Sequence, residues 1–258
     1  STHPNTQDRV TRAFNAATET QIPQNSRDRR QGLYYNIIDN MMWGDDPKQG
    51  VIKGREFIHP TMRLKFTVPE NFTLQNSSDA VMAKGTGSAE GSAVIFSGAS
   101  MKDMSISDYA DKIWTAFKLE TPMEGIQNIK INDMDALTGT ASTVINEQNY
   151  IVRLLAIHHS ADQAYHFLML TPQATYQSLS EGLQRLSYSF NKISESEANQ
   201  IKGRKLKIIT VQNNDTIQSL AQNMAFDDYK VERFTALNGL TKDQPLRRGQ
   251  VLKLIVME

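Results

Sequence analysis

The stretch "NNDTIQSLAQNMA", residues 213–225, decides how the end of the chain folds. Asp215 or Thr216 can accept hydrogen bonds from the free N–H groups of a first helical turn. Ile217, Leu220, Ala221 and Met224 then recur at helical spacing and line one apolar face. Upstream, "RKLKIITV" (204–211) reads as a strand. Downstream, Val231, Phe234 and Leu237 are the inward positions of a second helix, and Asn238-Gly239 supplies a left-handed stop. Pro245 to Gly249 then turns the chain into the strand "QVLKLIV" (250–256), so that 200–258 reads as one compact βααβ unit.

Immediately before that unit, "NKISESEANQIKG" (191–203) is polar with little periodicity and is expected to be a linker. Residues 50–195 carry a different pattern. Met62, Leu64, Phe66 and Val68 alternate with Arg63, Lys65 and Thr67, which gives a strand with one buried face, and Pro69 ends it. "AVMAK" and "SAVIFSG" flank "GTGSAEG" and read as a hairpin with a mobile loop. A helix follows at about 107–119, capped by Ser107, with Ile106, Tyr109, Ala110, Ile113 and Phe117 on one stripe. Four strands come next: "IQNIKIN", "LTGTASTVI", "YIVRLLAIHH" and "AYHFLMLT". Thr171-Pro172 then opens a helix carrying Tyr176, Leu179, Leu183, Leu186 and Phe190. Strands, helix, strands and helix in that order make an α+β fold, an antiparallel sheet with packed helices.

Residues 1–49 begin with a His-Pro loop and a helical stretch on which Val10, Ala13, Phe14 and Ala17 share a side. Tyr34, Tyr35, Ile37, Ile38, Met41, Met42 and Trp43 form an apolar block with few companions nearby, and it is expected to pack on something else.

The 258 residues are enough for two modest cores, and 39 % apolar with 22 % charged residues describe a chain that folds. Lys plus Arg and Asp plus Glu are both 28, so no global field gathers nucleic acid, which is not expected as a partner. The longest apolar runs, "LLAIHH" and "VLKLIV", fall far short of the roughly 20 residues of a bilayer-spanning helix, so no membrane span is expected. There is no cysteine, hence no disulfide and no thiolate metal site. The chain opens "STHPNTQDRV" instead of with Met and is expected to be a processed protein or an expressed fragment.

The C-terminal unit resembles a LysM domain. The carriers are "TVQNNDTIQSLAQNM", "FTALNGL" and "PLRRGQVLKLI". Asn213-Asn214 stands where that family commonly has a small residue and Gly. The resemblance implies binding of peptidoglycan or chitin through N-acetylglucosamine units, in a shallow groove formed here by Asp215, Thr216, Ile217, Asn238, Gly239 and Leu240. The other end, through "THPNTQDRVTRA" and "YYNIIDNMMWGDDPKQGVIKGREFIHP", resembles the closing part of gluzincin-type peptidase domains of bacterial envelope zinc metallopeptidases. "LKFTVPENF" and "AYHFLMLTP" with "SLSEGLQRLSYSF" look PsbP-like.

Those peptidases place two His one turn apart on a helix to bind zinc, with a Glu between them to activate water. No HExxH occurs in this sequence. The resemblance therefore implies a non-catalytic C-terminal region, with 1–49 a remnant of the peptidase domain plus a connecting segment. No catalytic, cofactor or metal residue is assigned in the chain itself; zinc is expected in the parent's peptidase domain, with His3 an accessory to that zinc site. Expected partners are the chain's own peptidase domain, peptidoglycan or N-acetylglucosamine polymers, and envelope protein substrates. The expected location is the periplasm or cell envelope. An unrecognised enzyme site in the middle domain and a purely structural interaction module are the alternative readings.

Other constellations carry less. In a strand, His158 and His159 point to opposite faces, and only one of them can join His166 across a hairpin. "GTGSAEG" lacks the helix and the spacing of a dinucleotide loop. "GDDP" reads as a turn, and Trp43 and Trp114 read as core.

Overall fold

The computed structural model describes residues 6–19 and 30–258. In chain order the helices and strands begin with α1 (Thr6–Glu19), α2 (Gln31–Ile38), β1 (Met42–Trp43), β2 (Val51–Lys53), β3 (Glu56–His59) and β4 (Leu64–Thr67). They continue with β5 (Phe72–Asn76), β6 (Val81–Gly85), β7 (Ala93–Ser100), α3 (Ile106–Ala116), β8 (Glu124–Ile131), β9 (Met134–Ile145), β10 (Gln148–Ser160) and β11 (Gln163–Pro172). The chain ends with α4 (Gln173–Ser189), β12 (Asn191–Lys192), α5 (Glu195–Gln200), β13 (Arg204–Thr210), α6 (Ile217–Ala221), α7 (Lys230–Asn238) and β14 (Val251–Met257). These elements form two compact units. One is built on residues 42–204, and the other joins the described residues up to Met41 with 205–256.

In the larger unit, a seven-stranded sheet runs β5-β6-β7-β11-β10-β9-β8, and a four-stranded sheet runs β12-β4-β3-β2. Neighbouring strands in both sheets are antiparallel, as the meander pattern implies. Leu155, Ile157, Phe167 and Met169 point to one face of the large sheet, where Leu183, Leu186 and Phe190 pack with strands of the smaller sheet. Phe66, Phe96 and Phe167 centre this core, with ring centroids 4.7 to 5.0 Å apart. Val152, Leu154, Ala156 and Leu168 point to the other face, where α3 lays down Tyr109, Ile113 and Trp114. Burial on both faces is why "LLAI" is a continuous apolar run without alternation. Trp114 is core, and its indole N–H donates to the Thr121 carbonyl at 2.9 Å.

Several local expectations shift. The cap of α3 is Ser105, not Ser107. Ser105 accepts from the Asp108 N–H while the Asp108 carboxylate accepts from the Ser105 N–H, and this reciprocal box starts the helix earlier. α4 starts after Pro172, one residue later than expected. The "GTGSAEG" loop is tied down, with Ala89 fully buried and the Thr86 N–H bonded to the Asn71 carbonyl. The segment 191–203 is folded and not a plain linker: β12 pairs with β4, Ile193 is buried, and Ser194 and Glu197 box the start of α5.

The second unit contains the expected βααβ order. Thr216 caps α6 in a box with Ser219, and α7 stops at Gly239 with φ +61°. Leu206, Val211, Ile217, Ala221, Met224, Phe234, Leu252 and Leu254 form its core. α2 is built into the same core, because Ile38 is buried there and Tyr35 packs against it. The chain beyond α2 then runs along β13. The Asn40 N–H donates to the Leu206 carbonyl, the Leu206 N–H donates to the Met41 carbonyl, and the Ile208 N–H donates to the Asp39 carboxylate at 2.9 Å. The apolar block at 34–43 is thus only partly buried: Tyr34 and Ile37 stay exposed, Ile37 at 79 %, as does Leu33 beside them.

Candidate glycan-binding site

The turn before α6 is closed by Asp215, whose carboxylate accepts from the Gln212 N–H at 2.7 Å, and by Asn214 in the left-handed region at φ +71°. Thr216 Oγ1 accepts from the Ser219 N–H, so the side chains of Asp215 and Thr216 are both held by local bonds. Ile217 is 3 % exposed and belongs to the core. At the other loop, the Asn238 amide N–H₂ donates to the Phe234 and Lys253 carbonyls at 3.0 and 2.8 Å, while its Oδ1 accepts from the Lys253 N–H at 2.7 Å. Gly239 has open space where a Cβ would stand, and Leu240 is half-buried with its N–H bonded to the Thr235 carbonyl.

Side chains of four of the six residues therefore shape the loops instead of projecting from them. What these loops offer a ligand is the exposed Asn213, Asn214, Thr216 and Gly239 and the half-buried Leu240. That surface suits an acetamido group, which has one donor, one acceptor and a methyl, better than it suits an ion. Sequence reasoning read Asn238 as a helix stop and missed its second role. Its side chain plugs the outer edge of β14 at Lys253, a contact legible only once β14 is placed. His3 lies outside the described residues.

The histidines of the larger unit do not converge. His166 is buried beside α3, with Nδ1 2.8 Å from the Tyr109 hydroxyl, and burial pushes its pKa down to about 4. Burial also raises the Tyr109 pKa. His159 projects toward the opposite core, its ring 5.0 Å from that of Tyr165, and burial followed by the Lys192 charge lowers its pKa. Among the described residues no three His, Asp or Glu side chains stand where they could share a metal ion. A groove of about 620 Å³ in this unit lies between α4 and the start of β5. Its charged lining includes an exposed Glu181–Arg185 pair at 2.9 Å and Arg55, which donates to the Val68 carbonyl. This is not an acid–base pair facing across a cleft.

Residues 209–254 match the LysM domain family. No curated protein sequence matches the chain. Among solved structures, a Bacteroides thetaiotaomicron protein is similar at 12 % identity and TM-score 0.40, over 66 % of this chain and 59 % of that one. LpqN of Mycobacterium tuberculosis, described as involved in cell envelope biogenesis, is similar at 10 % identity and TM-score 0.41, over 62 % of this chain and 95 % of its own. The cyanobacterial PsbP of Synechocystis is similar at 7 % identity and TM-score 0.43, over 55 % of this chain and 95 % of its own. The chain spans 59 % of the length of the first of these. At these scores the α+β assignment rests on the sheet order and packing described above. Among the described residues no helix is long and apolar enough to cross a membrane.

Proposed function

We propose that the chain is a binding region of the cell envelope, whose LysM module holds peptidoglycan or another N-acetylglucosamine polymer at the loops 213–217 and 238–240. The observation that carries this reading is the LysM match at 209–254, laid over two loops in which local hydrogen bonds hold the side chains of Asp215, Thr216 and Asn238 and Gly239 leaves open space. The region works by positioning and supplies no bond-breaking group of its own. We further propose that it is the non-catalytic C-terminal part of an envelope zinc metallopeptidase. On this reading zinc, with His3 beside it, belongs to the peptidase domain, and the module restrains that domain near wall glycan or protein substrates. Support comes from the resemblance of the two chain ends and from α2, whose Leu33, Tyr34 and Ile37 present apolar surface for a partner.

Co-sedimentation with insoluble peptidoglycan tests the binding reading. The intact chain is expected in the pellet, and Leu240→Asp, with an unchanged circular dichroism spectrum, in the supernatant. If both proteins stay in the supernatant, or both pellet equally, the assignment of these loops is wrong.

A further inference from the structure

The geometry points to a binding site for a fatty-acid carboxylate, one acyl chain with an anionic head, in an apolar cleft of the larger unit beside the end of α3. This inference is independent of the glycan reading. The sheet face under α3 is longer than the helix: α3 has 11 residues, about 16 Å, and β10 has 13, about 44 Å. The helix covers the end at Ala164 and His166, where the Tyr109 hydroxyl donates to the Ala164 carbonyl at 3.2 Å and lies 2.8 Å from His166 Nδ1. Beyond Phe117 the same face is left with a cleft of about 330 Å³.

Strand register assembles its floor. Leu170 stands opposite Ala93 on β7 and Val152 on β10, and Leu168 stands opposite Ile95. Thr143 lies two residues past Ala141, the β9 partner of Val152. These side chains share one face, in a strip that crosses four neighbouring strands, about 14 Å at the usual strand spacing. That is the outline of an extended hydrocarbon chain. The volume is at the lower end for small-molecule sites, which suits a single chain.

The floor does not suit a sugar or a peptide. β11 and β10 are each paired on both sides, so their backbone N–H and C=O groups are spent on the ladders. Apart from the Thr143 hydroxyl, the strip offers hydrocarbon, and a polar ligand laid on it would give up hydrogen bonds to water without replacement. Lys118 alone among the lining residues is charged, and it is exposed, at the rim. It follows the C-cap of α3 in the left-handed region at φ +55°. Its N–H donates to the Thr115 carbonyl, and the Trp114 indole fastens the next residues through the Thr121 carbonyl, so the wall that carries Lys118 is held in place. An ammonium at the rim of a hydrocarbon slot complements a carboxylate that stays in water while its chain lies on the strip.

The test is a methyl-resolved NMR titration of the intact chain with decanoate below its micelle concentration. Octanoate, the decyltrimethylammonium cation and phosphatidylglycerol vesicles are the other arms. Saturable shifts are expected at the Ile95, Val152, Leu168 and Leu170 methyls with decanoate, and about fifteenfold weaker binding with octanoate, fourfold for each missing methylene. Decanoate is expected to bind about fivefold more tightly than the cation. Lys118→Gln, at an exposed position, is expected to weaken decanoate about threefold and to erase that preference. Ala93→Phe, which fills one end of the strip, is expected to abolish binding of all three single-chain probes. No shift at these methyls, or shifts centred elsewhere, overturns the site, as does undiminished binding by a folded Ala93→Phe chain. Equal affinity for decanoate and octanoate overturns the acyl-chain assignment, and equal affinity for decanoate and the cation overturns the carboxylate. A stronger response of these methyls to vesicles than to free decanoate makes the cleft a membrane-docking face and overturns the single-chain ligand.

Discussion

Asn238 is the residue at which stability and binding can be separated. Two of its three side-chain hydrogen bonds tie the end of α7 to the outer edge of β14 at Lys253, and the third returns to the Phe234 carbonyl within α7. Asn238→Ala leaves the N–H and C=O of Lys253 without partners at a half-buried position. An unsatisfied buried group costs about 1–3 kcal/mol, and partial access of water discounts that, so we expect a loss of about 2 kcal/mol in the C-terminal unit. That corresponds to roughly a 30-fold rise in the population of its opened state. Asn238→Asp is expected to be worse at neutral pH, because its carboxylate keeps the bond from the Lys253 N–H but faces the Phe234 and Lys253 carbonyls with no proton to donate. Acidification toward the ordinary carboxylate range of about 4 should recover part of that loss, since a protonated Asp donates again. The assay is native-state hydrogen exchange read at the Lys253 amide, with chemical denaturation followed by resonances of the C-terminal unit. The reasoning is refuted if Lys253 stays protected in Asn238→Ala and stability changes by less than about 0.5 kcal/mol.

Two further outcomes follow from the same packing. Ile38→Ala, which removes a side chain 8 % exposed in the core of the C-terminal unit, should destabilise that unit by about 2–4 kcal/mol and leave resonances of residues 42–204 in place. Calorimetry with residue-level exchange distinguishes this from the bland result, in which α2 is a dispensable arm. His166 titrates at 6.5 when unfolded and at about 4 in the fold, so its neutral form is the native one. The stability it contributes is complete above about pH 6.5 and is lost as pH falls toward 4, by up to about 3 kcal/mol. The melting temperature of the larger unit should therefore drop more steeply between pH 7 and 4.5 than that of His166→Gln; parallel curves would show that the burial of this imidazole does not matter.

What was legible in the sequence was what is local. The βααβ order could be read because Thr216, the Ile217–Leu220–Ala221–Met224 stripe and the Asn238-Gly239 stop each act within a turn or two of helix. The strands of the larger unit were legible from their β-branched and aromatic residues, although burial on both faces removed alternation from the central pair. What was not legible is tertiary. α2 joins a core whose other members begin at Leu206, and nothing in "GLYYNIIDN" says so beyond an excess of apolar side chains. β12 is two residues long and exists only because Lys65 and Leu64 lie beside it. For the site, the residue types were read as loop formers, but the bonds from Asn238 to the distant Lys253 could not be seen.

The proposed function requires that this chain recognise N-acetylated glycan at the LysM loops. Titration calorimetry of the intact chain with the N-acetylglucosamine tetramer, against the same tetramer after deacetylation, measures that claim directly. Saturable heat with the acetylated sugar and none with its deacetylated form is the expected result. No heat with either sugar, or the same affinity for both, contradicts it.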